Sequence, residues 1–182
     1  MSRTADPGPT APDAPDEPDE PDDEPAEHLR FAAHLRSLGA TRPDDEAGTV
    51  REVLADPDPV MARSAVLRHL DRRAAGLLPD PGFDEWSASM AGAVDGDPLL
   101  TRRLREWDLL RSVTLARAWS TEDLDGASDW LQRKVSAESR SPRALAFLAV
   151  HGRTRRIRNA AAAGLREAPT RQDAGPPAGD AG

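Results

Sequence analysis

Along the middle of the chain, apolar residues recur every three or four positions and almost nowhere alternate with polar ones, a periodicity that predicts helices throughout. Leu29, Ala32, Ala33, Leu35 and Leu38 form one stripe, and Val50, Val53 and Leu54 another. Val60, Met61, Ala65, Val66 and Leu70 continue at helical intervals, as do Phe83, Trp86, Met90 and Val94. The longest predicted helix, Pro98 to Trp119, carries Leu100, Leu104 and Trp107 on one stripe, with Leu109, Val113 and Ala116 on a neighbouring one. So wide an apolar arc predicts a central position. Leu124, Ala127, Trp130 and Leu131 follow, then Leu145, Leu148 and Ala149, and finally Ile157, Ala160, Ala161 and Leu165.

Helix starts are marked independently of this periodicity. Proline directly follows a residue able to cap at Asp58-Pro59, Asp80-Pro81, Asp97-Pro98 and Ser141-Pro142, the arrangement favoured at a helix N-terminus. Ser120 with Asp123 has capping-box spacing, and Thr154 follows the break at Gly152. The expected fold class is all-α: about eight helices joined by short loops, so that neighbours pack antiparallel.

The two ends do not share this pattern. Residues 1–27 hold seven prolines, ten acids and no branched aliphatic or aromatic side chain, so residues 1–26 are expected to remain a disordered acidic tail. Spaced prolines and mutual repulsion favour an extended, polyproline-like chain rising about 3.1 Å per residue. Residues 168–182, mostly Ala, Gly and Pro, are expected to be a second disordered tail. One all-helical domain over 27–167 remains, long enough to fold on its own core.

Ile157, Arg158, Ala161 and Leu165 resemble the second helix of a HEAT repeat: an aliphatic followed by arginine, a small residue four on, a leucine eight on. Asp56-Pro57-Asp58-Pro59 with Met61, Arg63 and Ala65 resembles the entry to another, with Leu70 displaced by one position. The resemblance covers residues 44–75 and 142–166, and the helices between keep no fixed period. It implies either a HEAT-like right-handed stack or an irregular helical bundle, and a binding scaffold more readily than an enzyme.

Charge is divided unevenly. The whole chain carries −8, whereas residues 133–166 hold nine bases against Glu138 alone. Lysine, isoleucine and asparagine each occur once and tyrosine never, so arginine in place of lysine reflects a composition bias before it reflects guanidinium chemistry. Placement says more than number. Arg155, Arg156 and Arg158 fall in the first turn of the last predicted helix, where cations oppose the macrodipole by about 0.3 to 1 kcal/mol each. With Arg133, Lys134, Arg143, Arg153 and the Thr154 hydroxyl they are the candidate binding residues, for a phosphate in particular. The structural alternative pairs Arg158 with Asp125 or Asp129.

Little else in the sequence points to chemistry. Without cysteine, thiolate chemistry and disulfides are excluded, and His28, His34, His69 and His151 lack helical metal-ligand spacing. No nucleophile-elbow, phosphate-loop or dinucleotide motif occurs. Asp44 with Asp45, Asp84 with Glu85, and Glu122 with Asp123 fall in predicted first turns, where acids favour the helix dipole. Ser87 and Ser128 are expected on helix surfaces, and the four tryptophans in core packing. No catalytic residue, cofactor or metal is expected. No apolar run reaches the roughly 18 residues that span a bilayer, and Met1 is not followed by an apolar leader. The expectation is a cytoplasmic, non-catalytic adaptor for a protein partner; the alternative is nucleic-acid binding by 133–166 with the acidic tail competing for that face.

Overall fold

The computed structural model describes residues 26–167, which are all-helical. Most of segment 1–26 and all of 168–182, the two expected tails, lie outside the described residues. Within them run α1 (Ala26–Ala40), a 3-10 turn (Pro43–Asp45), α2 (Glu46–Leu54), α3 (Pro59–Leu77), α4 (Phe83–Ala93), α5 (Pro98–Thr114), α6 (Thr121–Gly126), α7 (Asp129–Glu138), α8 (Pro142–His151) and α9 (Arg155–Glu167).

The caps read from the sequence act at five of these starts. Asp58 accepts from the N–H groups of Val60 and Met61, and Asp97 from those of Leu99 and Leu100, all at 3.0 Å. Ser120, Ser141 and Thr154 accept from Asp123, Ala144 and Ile157. Each such bond contributes about 1 kcal/mol. Asp80 behaves differently. It accepts the Gly82 N–H at 2.7 Å, closing a turn, and α4 begins only at Phe83.

Two expected helices are shorter than the periodicity implied. The stretch Leu124 to Leu131 is two helices, because Ala127 and Ser128 are extended and Ser128 caps α7 at the Leu131 N–H. With this division nine helices stand among the described residues, consistent with the about eight expected. The Pro98 helix stops at Thr114, where Ala116 takes a positive φ of 53° and the Arg117 N–H donates to the Ser112 carbonyl. That six-to-one closure ends the helix five residues before Trp119.

Helices alternate between two rows. α1 packs on α3, α3 on α5, α5 on α7 and α7 on α9, while α2 packs on α4 and α6 on α8. Named contacts give the directions. Arg63 meets Asp97 near the starts of α3 and α5, and Asp71 meets Arg103 and Trp107 further along both, so α3 and α5 run parallel. Arg103 over the Trp130 ring and, four positions further along each helix, Trp107 under Lys134 extend this sense from α5 to α7. Consecutive helices run antiparallel: Glu46 of α2 reaches His69 and Arg73 of α3, Asp84 of α4 reaches Arg111 of α5, and Leu145 of α8 lies beside Gly164 of α9.

Apolar side chains from all nine helices meet in one continuous core, with Leu70, Phe83, Leu100, Trp107, Leu124, Leu131 and Leu148 among its largest members. Polar side chains are threaded through it. The Glu46 carboxylate, 2 % exposed, accepts from His69 Nε2, the Arg73 guanidinium and Trp86 Nε1, tying α2, α3 and α4 together. Arg111, equally buried, donates to the carbonyls of Leu78 and Asp80 and to the Asp84 carboxylate, and lies over the Phe83 ring. Buried charges persist only when they are hydrogen-bonded in this way.

Candidate functional site

The structure distributes the basic residues of 133–166 among different tasks. Arg153 donates to the Ala127 carbonyl at 3.0 Å and lies 3.6 Å from Asp129, while its backbone N–H is bound by Gln132. Arg158 donates at 2.7 Å to the Gly152 carbonyl. It thus satisfies the turn before its own helix, and Asp129, offered as its partner on sequence grounds, faces Arg153 instead. Thr154 is the α9 cap. Gly152 makes this seam possible: a Cβ there would stand 2.5 Å from the Leu148 carbonyl and 2.7 Å from Ile157. The three residues at the α8–α9 turn therefore build structure.

The remaining bases separate. Lys134 pairs with Glu138 and lies over the Trp107 ring, and Arg133 returns to the Asp129 carbonyl of its own helix. Arg155 and Arg156 are exposed at the start of α9, without an ion pair to a described residue. Arg143, on α8, stacks its guanidinium 4.3 Å from the centroid of Trp119. It therefore belongs to a different surface feature.

That feature is a groove of about 390 Å³ over the outer stripe of α5. Arg102, Arg105, Leu109 and Ser112 line one side at helical spacing, and Trp119, Asp123 and Ala127 the other. A second hollow of about 400 Å³ shares Arg102 and Arg105 with the first and is lined also by Pro98 and by Gly96, whose φ of +89° suits glycine. Half-buried Trp119 is positioned by the short connector that Ala116 opens, and its ring is covered on one side by Arg143.

The acids of the groove are already engaged. Glu106 accepts the Ser128 N–H at 2.7 Å and lies 3.4 Å from Arg102. Asp123 accepts from Ser120 at 2.8 Å, and Asp108 from Ser87 at 2.9 Å. Packing against α4 raises the Asp108 carboxyl above the usual range, outweighing the Ser87 hydroxyl, and Asp84 pushes the same way. Ser87 is thus buried and bonded, not on a helix surface. Neither Arg105 nor Arg143 has an ion pair with a described residue, and Arg143 rests on the neutral Trp119 ring. Donor capacity is left over on the basic side alone.

Sequence reasoning did not find this groove because its members are drawn from α5, the connector after it, α6 and α8. The signal available was Trp119, a tryptophan outside the clean apolar stripes. Among the described residues no group of three or more His, Asp or Glu side chains is placed to hold a metal ion, and no helix is long and apolar enough to cross a membrane. Comparison with protein families, with curated proteins and with solved structures returns no match.

Proposed function

We propose that this protein is a non-catalytic helical scaffold that binds an extended segment of a protein partner in the groove over α5. The observation carrying this reading is the combination of an aromatic platform, Trp119, covered on one side by Arg143, with Arg105, a guanidinium without an ion pair to a described residue, at the hollow over α5. Aromatic rings and arginine dominate the energetics of such contacts. The two-row alternation of helices supports the HEAT-like resemblance as well, since helix pairs stacked with parallel second members are how such scaffolds extend a binding surface.

A photo-crosslinking residue at Ser112 in the groove, compared with one at Ala137 on α7, tests the proposal in extracts of the source cell. A discrete partner captured only from Ser112, and lost on Trp119→Ala, is the expected result. Indistinguishable capture from both positions overturns it.

Nucleic-acid binding is the second reading, and Arg133, Arg155 and Arg156 favour it because all three are exposed cations. It has fewer groups to draw on than residues 133–166 contain, Arg153 and Arg158 being committed within the fold.

A further inference from the structure

The outer face of α9 differs in kind from the groove. Arg155, Asn159, Ala162 and Arg166 stand at i, i+4, i+7 and i+11, one stripe of a helix, opposite the buried Ile157 and Ala161. Both arginines and Asn159 are exposed, and the stripe runs about 16.5 Å along the helix axis. Arg156 borders it. Arg133 of α7, also exposed, follows Gln132, whose side chain accepts the Arg153 N–H at 2.9 Å just before α9 begins. The first turns of α7 and α9 are thus neighbours, and exposed bases extend from one helix to the next. None of these four arginines has an ion pair with a described residue. Asp129 lies 3.6 Å from Arg153, Glu138 pairs with Lys134, and Glu167, the one acid of α9, stands about 100° round the helix from Arg166.

We infer that this face of α9, together with Arg133 of α7, binds the phosphate backbone of double-stranded nucleic acid without regard to sequence. The inference rests on the nucleic-acid reading and gives it a surface. The composition of the face selects among polyanionic partners. A bilayer or an acidic protein is met by aliphatic or aromatic side chains among the charges. The stripe carries none, only guanidiniums, an amide and Ala162, which is small enough for close approach. Single strands are held on aromatic platforms, but Trp130 is covered by Arg103 and Trp119 by Arg143. Duplex interfaces are polar and cationic, and arginine and asparagine side chains are among the groups that bond their phosphates. Stability does not explain the choice of residues. Cations in a first turn oppose the helix macrodipole, and no acid of that turn answers Arg155 and Arg156.

Fluorescence anisotropy of a labelled duplex of about 20 base pairs, titrated with the full chain at about 50 and about 200 mM salt, tests this. At a net charge of −8 the chain as a whole does not attract a polyanion, so binding depends on a local surface. About four phosphate contacts predict roughly a hundredfold loss of affinity between the two salt concentrations. Replacing Arg155→Ala and Arg166→Ala together should weaken binding and reduce the slope of log affinity against log salt by about two. Arg105→Ala, at an exposed base of the α5 groove, should change neither. Both replaced side chains of α9 are exposed, so an unchanged melting temperature is expected beside the lost affinity. The duplex should also outcompete a single strand of equal length. Binding that the paired replacement leaves unaltered overturns the inference, while the nucleic-acid reading stands on other bases. Preference for the single strand overturns it as well, as does dependence on Arg155 and Arg166 that appears with anionic lipid vesicles and not with the duplex. No binding of either nucleic acid at about 50 mM salt removes both the inference and the reading it rests on.

Discussion

Glu46 Oε1 and His69 Nε2 meet at 2.7 Å in a site almost wholly closed to solvent, with Arg73 and Trp86 bonded to the same carboxylate. Burial alone would raise the Glu46 pKa, but the hydrogen bonds from His69, Arg73 and Trp86 outweigh it and bring the value down to about 2. A carboxyl depressed on folding contributes stability at pH values above its unfolded pKa, and that stability is lost as pH falls through the folded value. The melting temperature should therefore decline as pH drops from about 4.5 towards about 2. Asp56 and Asp84 shift in the same direction, through the Asp58 N–H and Arg111 respectively. Glu46→Ala, which leaves buried donors on His69 and Trp86 unmatched, should cost on the order of 3 kcal/mol at neutral pH and flatten the acid limb. An acid limb as steep as that of the unaltered protein would argue against this assignment.

Gly152 and Gly48 offer a matched pair. A methyl group at Gly152 collides with the Leu148 carbonyl and Ile157, whereas nothing lies within 4 Å of one at Gly48 in α2. Gly152→Ala should destabilise by about 1 to 3 kcal/mol, and Gly48→Ala should stabilise by about 0.5 to 1 kcal/mol. Urea unfolding measures both. Similar effects at the two positions would mean that the α8–α9 turn relaxes around the added carbon.

Ala116 holds a left-handed conformation at the end of α5, where glycine is the usual residue. Ala116→Gly should raise stability by about 1 kcal/mol by removing the Cβ penalty. The substitution leaves Trp119 in place, so capture of a partner by the groove should not change. A loss of stability instead would assign the backbone geometry to a contact made by the Ala116 methyl.

The division of arginines at the α8–α9 turn is measurable as stability. Arg153→Ala and Arg158→Ala should each cost about 1 to 2 kcal/mol, because the Ala127 and Gly152 carbonyls lose charge-assisted bonds. Arg155→Ala and Arg156→Ala should stay within about 0.5 kcal/mol. These two also test the nucleic-acid reading: if labelled DNA or RNA binds, their replacement should weaken it evenly across sequences and reduce the salt dependence. Binding untouched by both replacements would remove the α9 start from any such interface.

Much of this fold could be read from the order of residues because its determinants are local. Asp58, Asp97, Ser120, Ser141 and Thr154 each act within three positions of themselves, and the apolar stripes needed only a period. The departures also have local causes, but ones that compete closely. Asp80-Pro81 could open a helix or close a turn, and the Gly82 N–H decides for the turn. Ala116 ends α5 in a conformation that its residue type disfavours. The candidate site was harder to foresee for a different reason. Arg143 and Trp119 are 24 positions apart and come together only because α6 and α8 share a row, and periodicity within one helix carries no information about the next. The cluster of bases in 133–166 was visible, but its separation into caps, seams and open surface depends on which carbonyls the loops present.

The parallel row α3, α5, α7 and α9 also has a consequence for how the chain folds. Its linking bonds join residues such as Asp71 and Arg103, or Asp71 and Trp107, separated by little more than one intervening helix. The entropy lost in closing so short a span is modest, and no strand pairing must wait for a distant segment. Structure can therefore form at any helix pair and spread outward like a zipper, each added helix rewarded by the one before it. Hydrogen exchange should accordingly be slowest around α3 and α5 and quicken toward α1 and α9, with the ends opening one at a time ahead of the middle.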